Sequence, residues 1–231
     1  MSSYLDILSG TIIGGMVMLI ALTASDLGLR RMYNHNADEI LQSNLKRSTQ
    51  VIEFDLRKMG FGVPDDELPN IIQIKDPDRL KFLVQLNMDT DTFYPAAGIT
   101  TTDAQVDTLE YRIQNGTTIT VADSNVVLYE VVRLVKFNGA ATQTHSLGFI
   151  SNNDVFTYLD QAGNETSLTP AVRMIEISLA ALNPQVMITP ELVSASLGGI
   201  ADEDFRRQEL LRLLQPAYWQ NRRLISRNLF R

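Results

Sequence analysis

The chain has 231 residues, of which 45% are hydrophobic and 20% are charged, and its formal net charge is -7. This composition allows a packed core plus an accessory element and excludes global disorder. The negative charge argues against a general nucleic-acid-binding protein, which needs a basic face to release phosphate counterions. Because the sequence contains no cysteine, disulfides, thiolate metal sites and cysteine nucleophiles are excluded.

The first predicted element is an apolar helix near the N-terminus. Residues Ile7–Ala24 carry no charged side chain, and about 18 helical residues span about 27 Å, close to the thickness of the membrane hydrocarbon core. Asp6 and Asp26 border this segment. A cleaved secretory signal and a buried core helix are the alternatives, but no basic residue precedes the apolar run and no small-residue cleavage site follows it. The pattern therefore favours a membrane segment.

Small residues inside this segment recur at helical spacing. Gly10 and Gly14 lie about one turn apart, as do Thr11 and Gly15, and small residues on one face let two helices approach closely. We therefore predict that Gly10, Gly14 and Gly15 contact other helices as well as lipid.

The helical pattern continues beyond the apolar segment, because small and apolar residues recur at steps of three, four or seven positions. They are Ala37, Leu41, Leu45, Ile52, Leu56 and Met59. Charged residues occupy the other faces, no proline precedes Pro64, and Gly60-Phe61-Gly62 supplies a helix stop. We predict one long helix over about Tyr4–Met59, unbroken across Ile7–Leu29, with its later apolar stripe packed on a globular domain.

After Pro64 the pattern changes to short strands separated by turn sequences, and Asn115-Gly116 predicts a hairpin turn. The predicted strands are Ile71–Ile74, Arg79–Leu86, Thr108–Ile113, Thr117–Val121, Val126–Val135, Val155–Leu159 and Arg173–Leu182. A helix followed by strands indicates an α+β fold, in which an antiparallel sheet packs on the helix.

The predicted organisation has three parts. An apolar helix over residues 1–30 continues as an amphipathic helix over residues 31–62 and leads into a β-rich head over residues 63–231. Within the head, Asp202–Leu214 predicts an amphipathic helix (near 202–215) that Pro216 ends. The segment Gln185–Gly199 predicts a linker, and the basic tail Asn221–Arg231 predicts a solvated, partly strand-like end.

Neither catalytic nor cofactor motifs occur in the sequence. His35 falls on the long helix and His145 in a predicted polar loop, and neither has a partner at metal-ligand spacing. The segment Asp89–Asp91 lacks the glycine and glutamate of an EF-hand, so a solvated loop is preferred to a calcium site. Asn115 and Asn164 begin glycosylation sequons, although both also fit predicted turns. The sequence therefore predicts no enzyme, metal or cofactor.

Several stretches, in order along the chain, carry a likeness to a known family. They are Ser2-Ser3-Tyr4-Leu5-Asp6-Ile7, Phe54-Asp55-Leu56-Arg57-Lys58-Met59-Gly60-Phe61, Leu109–Ile113 with Asn115-Gly116, Phe156–Asp160 through Gly163, Val172–Leu179 and Arg227-Asn228-Leu229. In this order they resemble the type IV pilin and type II secretion pseudopilin superfamily, in particular its larger minor-pilin-like members. The resemblance covers most of the chain except Asp202–Arg223, which has the character of an insertion.

The resemblance implies a filament subunit that spans the inner membrane once before assembly. Afterwards it would lie in an extracellular filament or a periplasmic pseudopilus. The implied partners are identical or homologous pilin subunits and an inner-membrane assembly platform. The family has a glutamate that pairs with the terminal amine of the neighbouring subunit. Asp6 stands at that place if the chain is counted from Ser2 and one position off if Met1 is retained, so Asp6 is the predicted register residue.

The N-terminal sequence departs from the family pattern, because no basic leader ending in glycine precedes residue 1. Either a processed start or a divergent member is expected. Arg30 and Arg31 follow the apolar segment, and the positive-inside rule alone would place the head in the cytoplasm. Loss of a basic leader would remove this conflict, so we expect an exported head.

The sequence is compatible with three functions. The first is a filament subunit whose apolar helices form the core. The second is a minor pseudopilin that primes or tips a secretion piston, and the third is a single-pass membrane protein with a sensing or binding head. Adhesion, motility, secretion and DNA uptake use the same subunit architecture, so the sequence does not choose among them.

Overall fold

A computed structural model describes residues 2–86, 106–121, 124–137, 141–183, 186 and 190–225 of the chain. The chain divides into two compact units, Met1–Ile40 and Leu41–Arg231. An apolar N-terminal helix and two antiparallel sheets make up most of the described elements, which confirms the α+β class. The segment Asp89–Asp91, weighed above as a calcium loop, lies outside the described residues.

Helix α1 runs from Ser2 to Arg57 without interruption. The predicted unbroken helix across Ile7–Leu29 is therefore confirmed. Its two adjacent glycines, Gly14 and Gly15, remain helical although each costs about 1 kcal/mol relative to alanine.

Helix α1 is followed by a glycine turn, as predicted. Gly60 and Gly62 have φ angles of 73° and 70°, in the left-handed region that glycine adopts without steric cost. Within this turn the Gly60 amide donates to the Leu83 carbonyl, and the Phe61 carbonyl accepts from the Gln85 amide, both at 2.9 Å. The turn is thereby fixed to the end of strand β2 (Arg79–Val84).

Gly62→Ala is expected to destabilise this turn through two effects. The left-handed backbone costs a residue with a Cβ about 1–2 kcal/mol, and a Cβ at Gly62 would lie 2.2 Å from Gln85 Oε1 and 2.7 Å from Gln85 Cβ. Gly163→Ala is the matched control, because Gly163 has a φ of +86° but a Cβ there would have nothing within 4 Å. Urea unfolding should show the larger loss for Gly62→Ala, and equal losses would contradict the contribution of the Gln85 contact.

Five strands form an antiparallel sheet in chain order. They are β1 (Ile72–Asp76), β2, β3 (Asp107–Val121), β4 (Ser124–Lys136) and β5 (Gln143–Ile150). Strand β5 was not predicted, and the placement of His145 in a polar loop is wrong because His145 lies opposite Arg133 in this strand. As an edge strand, β5 has a neighbour on one side only and keeps most of its side chains partly or fully exposed. It therefore lacks the apolar alternation that sequence analysis detects.

The predicted hairpin turn at Asn115-Gly116 is wrong. Strand β3 continues to Val121, and its register with β4 shifts between Asn115 and Thr117, which marks a bulge. A Cβ on Gly116 would lie 2.7 Å from the Phe149 ring and 3.0 Å from the Leu128 carbonyl oxygen. The glycine therefore permits close packing within the sheet instead of a chain reversal.

Three strands form a second antiparallel sheet in the order β6-β7-β8. They are β6 (Phe156–Leu159), β7 (Met174–Leu182) and β8 (Pro216–Ile225). The first two confirm predicted strands. Strand β8 begins immediately after the predicted helix and includes residues 221–225 of the basic tail, which confirms the predicted partly strand-like character for those residues.

Between β7 and β8, the described residues 190–214 contain two helices. Much of the predicted linker is helical and forms α2 (Pro190–Gly198). Pro190 and Gly198, which suggested a linker, mark the two ends of this helix. Helix α3 (Glu203–Leu214) confirms the predicted helix, and the Asp202 carboxylate caps it by accepting from two backbone amides. These helices share a small core with β3. Its buried members are Val121, Val186, Val193, Leu197 and Leu213.

The main core joins the C-terminal part of α1 to both sheets. The α1 contribution is Leu45, Ile52 and Leu56, and Met59 follows directly after the helix. Buried residues of β2, β3 and β4 pack against this stripe together with residues of β6 and β7. The predicted packing of the later apolar stripe on a globular domain is therefore confirmed.

Candidate functional site

The segment Ser9–Leu29 of α1 is long and apolar enough to cross a membrane, with a mean hydropathy of 1.9. None of its apolar window is buried within the chain, and the large apolar side chains from Ile12 to Leu29 are 50–67% exposed. By length and composition the segment is a single membrane span or a signal sequence, and the described residues contain one such helix. An all-round apolar surface of this kind requires lipid or other apolar chains around it.

The predicted contact residues lie on this exposed segment. A Cβ at Gly10, Gly14 or Gly15 would have nothing within 4 Å, so packing within the chain does not require these glycines. Gly10 and Gly14 are four positions apart and share a helix face. Asp6 belongs to α1 by its backbone, and its side chain lies outside the described part of the structure.

The one threonine in the later half of this segment satisfies its hydroxyl within the helix. Thr23 Oγ1 lies 3.0 Å from the Leu19 carbonyl oxygen and 2.9 Å from that of Ile20. A hydroxyl that donates to its own helix does not need water, which suits a position surrounded by hydrocarbon.

A buried ion pair links α1 to the five-stranded sheet. The Arg133 guanidinium on β4 donates to both carboxylate oxygens of Asp55, at 2.6 and 3.2 Å. The Tyr111 hydroxyl on β3 also donates to Asp55. Burial, followed by the adjacent Asp55 charge, raises the pKa of Tyr111 well above its usual value, so the hydroxyl remains a donor. Sequence analysis missed this cluster, although Asp55 is the acid that interrupts the apolar face of Ile52, Leu56 and Met59.

Next to this ion pair, the Lys58 ammonium is shielded from solvent and has no hydrogen-bond partner among the described residues. It lies 3.7 Å from the centroid of the Phe54 ring. Burial, partly offset by the Asp55 charge, lowers the Lys58 pKa. The charged amine is thus stabilised by its contact with the aromatic face of Phe54. It is destabilised by its removal from water.

Lys58→Met is expected to raise the midpoint of urea unfolding modestly at neutral pH. The variant keeps an unbranched side chain over Phe54 and removes the desolvated charge. In the folded chain the Lys58 pKa lies below its usual value of 10.5. The charged amine therefore destabilises the fold fully at pH values below the folded-state pKa, and this destabilisation disappears as the pH rises towards 10.5. The gain should therefore shrink in alkaline buffer. A destabilised variant, or a gain that grows with pH, would contradict this.

The two sequon asparagines occupy different structures. Asn164 is exposed in a turn where Asp160 Oδ1 accepts from the Asn164 and Ala162 amides, at 2.9 and 2.8 Å. Asn115 is exposed on β3, so its predicted turn is wrong although the side chain is accessible. Glycosylation at either position stays a prediction.

The described ranges contain no group of three or more metal-ligating side chains. His35 lies on the exposed surface of α1, with Nε2 3.5 Å from a Glu39 carboxylate oxygen. Comparison with protein-family models, curated proteins and solved structures finds no match to this chain.

Proposed function

We propose that this chain is a structural subunit of an extracellular type IV pilin-like filament, assembled through its apolar N-terminal helix. The observation that carries the proposal is the exposed apolar segment Ser9–Leu29, which belongs to the same helix that supplies Leu45, Ile52 and Leu56 to the head core. One helix thus has an apolar surface that is unfavourable in water and, further along, side chains that are buried in the core of the folded head.

The apolar segment has two successive environments in this proposal. Before assembly it spans the inner membrane once, and lipid covers its side chains. After extraction by an assembly platform, the same side chains are covered by the helices of identical or homologous subunits. Lipid is as apolar as leucine, so close packing at Gly10 and Gly14 must favour helix contacts over lipid contacts.

The buried ion pair has a mechanical role in this assembly. Asp55 sits five residues before Gly60 of the glycine turn and is held by Arg133 and Tyr111 from two strands. This attachment fixes the rotation of the last turns of α1 against the sheet within the unit Leu41–Arg231. A pull on the helix during extraction is thereby passed to the core of the head through a charged contact as well as through packing.

Gly14→Leu is expected to reduce the yield of fibres several-fold while the head remains folded. The added side chain would hold neighbouring helices apart at the small-residue face. Thr23→Leu is the matched control, because Thr23 lies nine positions, or about two and a half turns, from Gly14 and therefore on the opposite face. Fibres sheared from the cell surface are quantified by immunoblot, and folding is checked by circular dichroism of the purified chain.

The outcomes separate the three classes of protein. A filament subunit gives fibres composed mainly of this chain, which Gly14→Leu reduces more than Thr23→Leu does. A minor pseudopilin is scarce in fibres that another protein forms. A membrane protein with a binding head gives no fibres and remains a detergent-soluble monomer or dimer, which would contradict the proposal.

A further inference from the structure

The outer face of the second sheet carries the chain's single tryptophan in an exposed position. Trp219 on β8 is 69% exposed. Its indole Nε1 donates to Ser178 Oγ on β7 at 2.6 Å. This hydrogen bond ties the edge of the ring to the neighbouring strand and restricts the ring's orientation. The aromatic surface is therefore both accessible and held in place.

Side chains at alternate positions of β8 point to the opposite side, towards α1. Gln220 Oε1 lies 3.2 Å from Thr49 Oγ1, and Arg222 Nε lies 3.4 Å from Glu53 Oε1. Because strand side chains alternate between faces, Trp219 lies on the side of the sheet away from α1. The indole of Trp219 is not part of the core, and the register of β8 explains why it is exposed.

Planar polar side chains continue the same face next to Trp219. Asn221 Nδ2 donates to Glu176 Oε1 at 2.6 Å, and Arg223 Nε donates to Glu176 Oε2. The hydrogen bonds from Asn221 and then Arg223 lower the Glu176 pKa, so the carboxylate is ionised at neutral pH. A carboxylate oxygen accepts more than one hydrogen bond, so these oxygens retain acceptor capacity for a ligand. We call Glu176, Ser178, Trp219, Asn221 and Arg223 the Trp219 face.

We propose that the Trp219 face binds a neutral saccharide, with one sugar ring stacked on Trp219 and its hydroxyls hydrogen-bonded to Asn221 and Glu176. A pyranose presents C–H groups on one face, which suit the electron-rich face of an indole, and hydroxyls at its edge. Residues two apart on a strand are about 7 Å apart, so a ring on Trp219 brings its edge hydroxyls towards Asn221.

The local charges favour a neutral ligand over an anionic membrane surface. Arg223 is paired with Glu176 and Arg222 with Glu53, so these two arginines of β8 do not present a net positive patch. The single indole is surrounded by polar groups instead of the continuous apolar area that a membrane-inserting surface needs. This site does not depend on the filament proposal, because unassembled chain would bind the same ligand.

Intrinsic fluorescence tests the site directly, because Trp219 is the only tryptophan. The full chain is kept in lauryldimethylamine oxide, a detergent without a sugar headgroup, and is applied to an array of neutral and acidic glycans. Array-positive neutral oligosaccharides are then titrated while tryptophan emission is recorded. We expect a saturable emission change with at least one neutral oligosaccharide and none with acidic glycans alone.

Variants assign the binding to named side chains. On the array, Trp219→Ala should abolish retention, and Asn221→Ala should weaken it about tenfold, the equivalent of one hydrogen bond. Phe205→Ala is the matched control, because Phe205 is an exposed aromatic residue on α3 outside the Trp219 face, and it should bind normally.

Three results would overturn the saccharide site. In the first, no neutral glycan changes the tryptophan emission. In the second, Trp219→Ala is retained on the array as well as the unchanged chain. In the third, emission changes only when vesicles that contain phosphatidylglycerol are added in place of glycans. The last result would assign the face to lipid. The filament proposal is tested separately by fibre yield, so either proposal can fail without the other.

Discussion

Replacement of Asp6 by alanine is expected to stop fibre assembly while the chain stays in the membrane fraction. A carboxylate costs about 2.5–3.5 kcal/mol at the centre of a membrane helix and less near its end, so an acid beside an apolar helix is retained where it has a partner. In the proposed filament that partner is the terminal amine of the adjacent subunit, and the pair sets the axial register. Losing it removes the one charged contact that distinguishes the correct register from a slipped one.

Charge and position can be separated with three further variants. Asp6→Glu should restore most assembly, whereas Asp6→Asn should fail because it lacks the charge. Asp26→Ala, at the other border of the apolar segment, is the matched control and should assemble normally. Fibre yield is measured by shearing and immunoblot, and membrane insertion by resistance to alkaline extraction. Normal assembly of Asp6→Ala would show that Asp6 only marks the aqueous border of the helix.

Asp55→Ala is expected to destabilise the head by about 3–5 kcal/mol, the usual cost of removing one partner from a buried ion pair. Arg133 would retain a buried charge without its carboxylate, and the Tyr111 hydroxyl would lose its acceptor. Domains of this size are stable by about 5–15 kcal/mol. The variant should therefore show a much lower urea midpoint, measured by far-ultraviolet circular dichroism in detergent.

A double-mutant cycle tests whether the loss comes from the unpaired charge. Asp55→Ala combined with Arg133→Met should be more stable than Asp55→Ala alone, because no charge of this pair then remains buried. Glu209→Ala, which breaks an exposed ion pair with Arg212 on α3, should leave the midpoint nearly unchanged. If Asp55→Ala behaves like Glu209→Ala, the pair does not attach α1 to the sheet.

The long helix was predictable because its signal is local and repeated over many turns. An apolar run, a stripe ending at Met59 and the stop at Gly60-Phe61-Gly62 all point to one element. The Asn-Gly pair was misread because the same dipeptide suits both a turn and a bulge. In the structure the pair lies at a bulge of β3, where the Phe149 ring from a strand distant in sequence packs against Gly116.

Strand β5 and residues 216–220 of β8 were not predicted as strands, for a related reason. Strands β5 and β8 each have one neighbouring strand and bury few side chains, so their sequences carry weak alternation. The exposed position of Trp219 depends on the part of β8 that was not predicted. The burial of Asp55 could have been predicted, because it is an acid on an apolar helix face. Its partner Arg133 could not, because only the register of β4 brings the two together.

The role of the small residues in helix contacts stays a prediction. Gly10 and Gly14 were identified from spacing alone, and the exposed helix surface around them agrees with a role outside the chain's own packing. What packs on them depends on other molecules, and neither the sequence nor the fold of one chain contains that information.

Cross-linking through two opposite faces of α1 tests the filament proposal most directly. Because the chain has no cysteine, the double variant Gly14→Cys and Thr23→Cys carries reactive thiols only at these positions. A helix packed among several neighbours in an open assembly should give a ladder of dimers, trimers and larger species with a short bismaleimide. We predict this ladder in fibres sheared from the cell surface. Products that stop at the dimer and stay in the membrane fraction would contradict a filament built on α1.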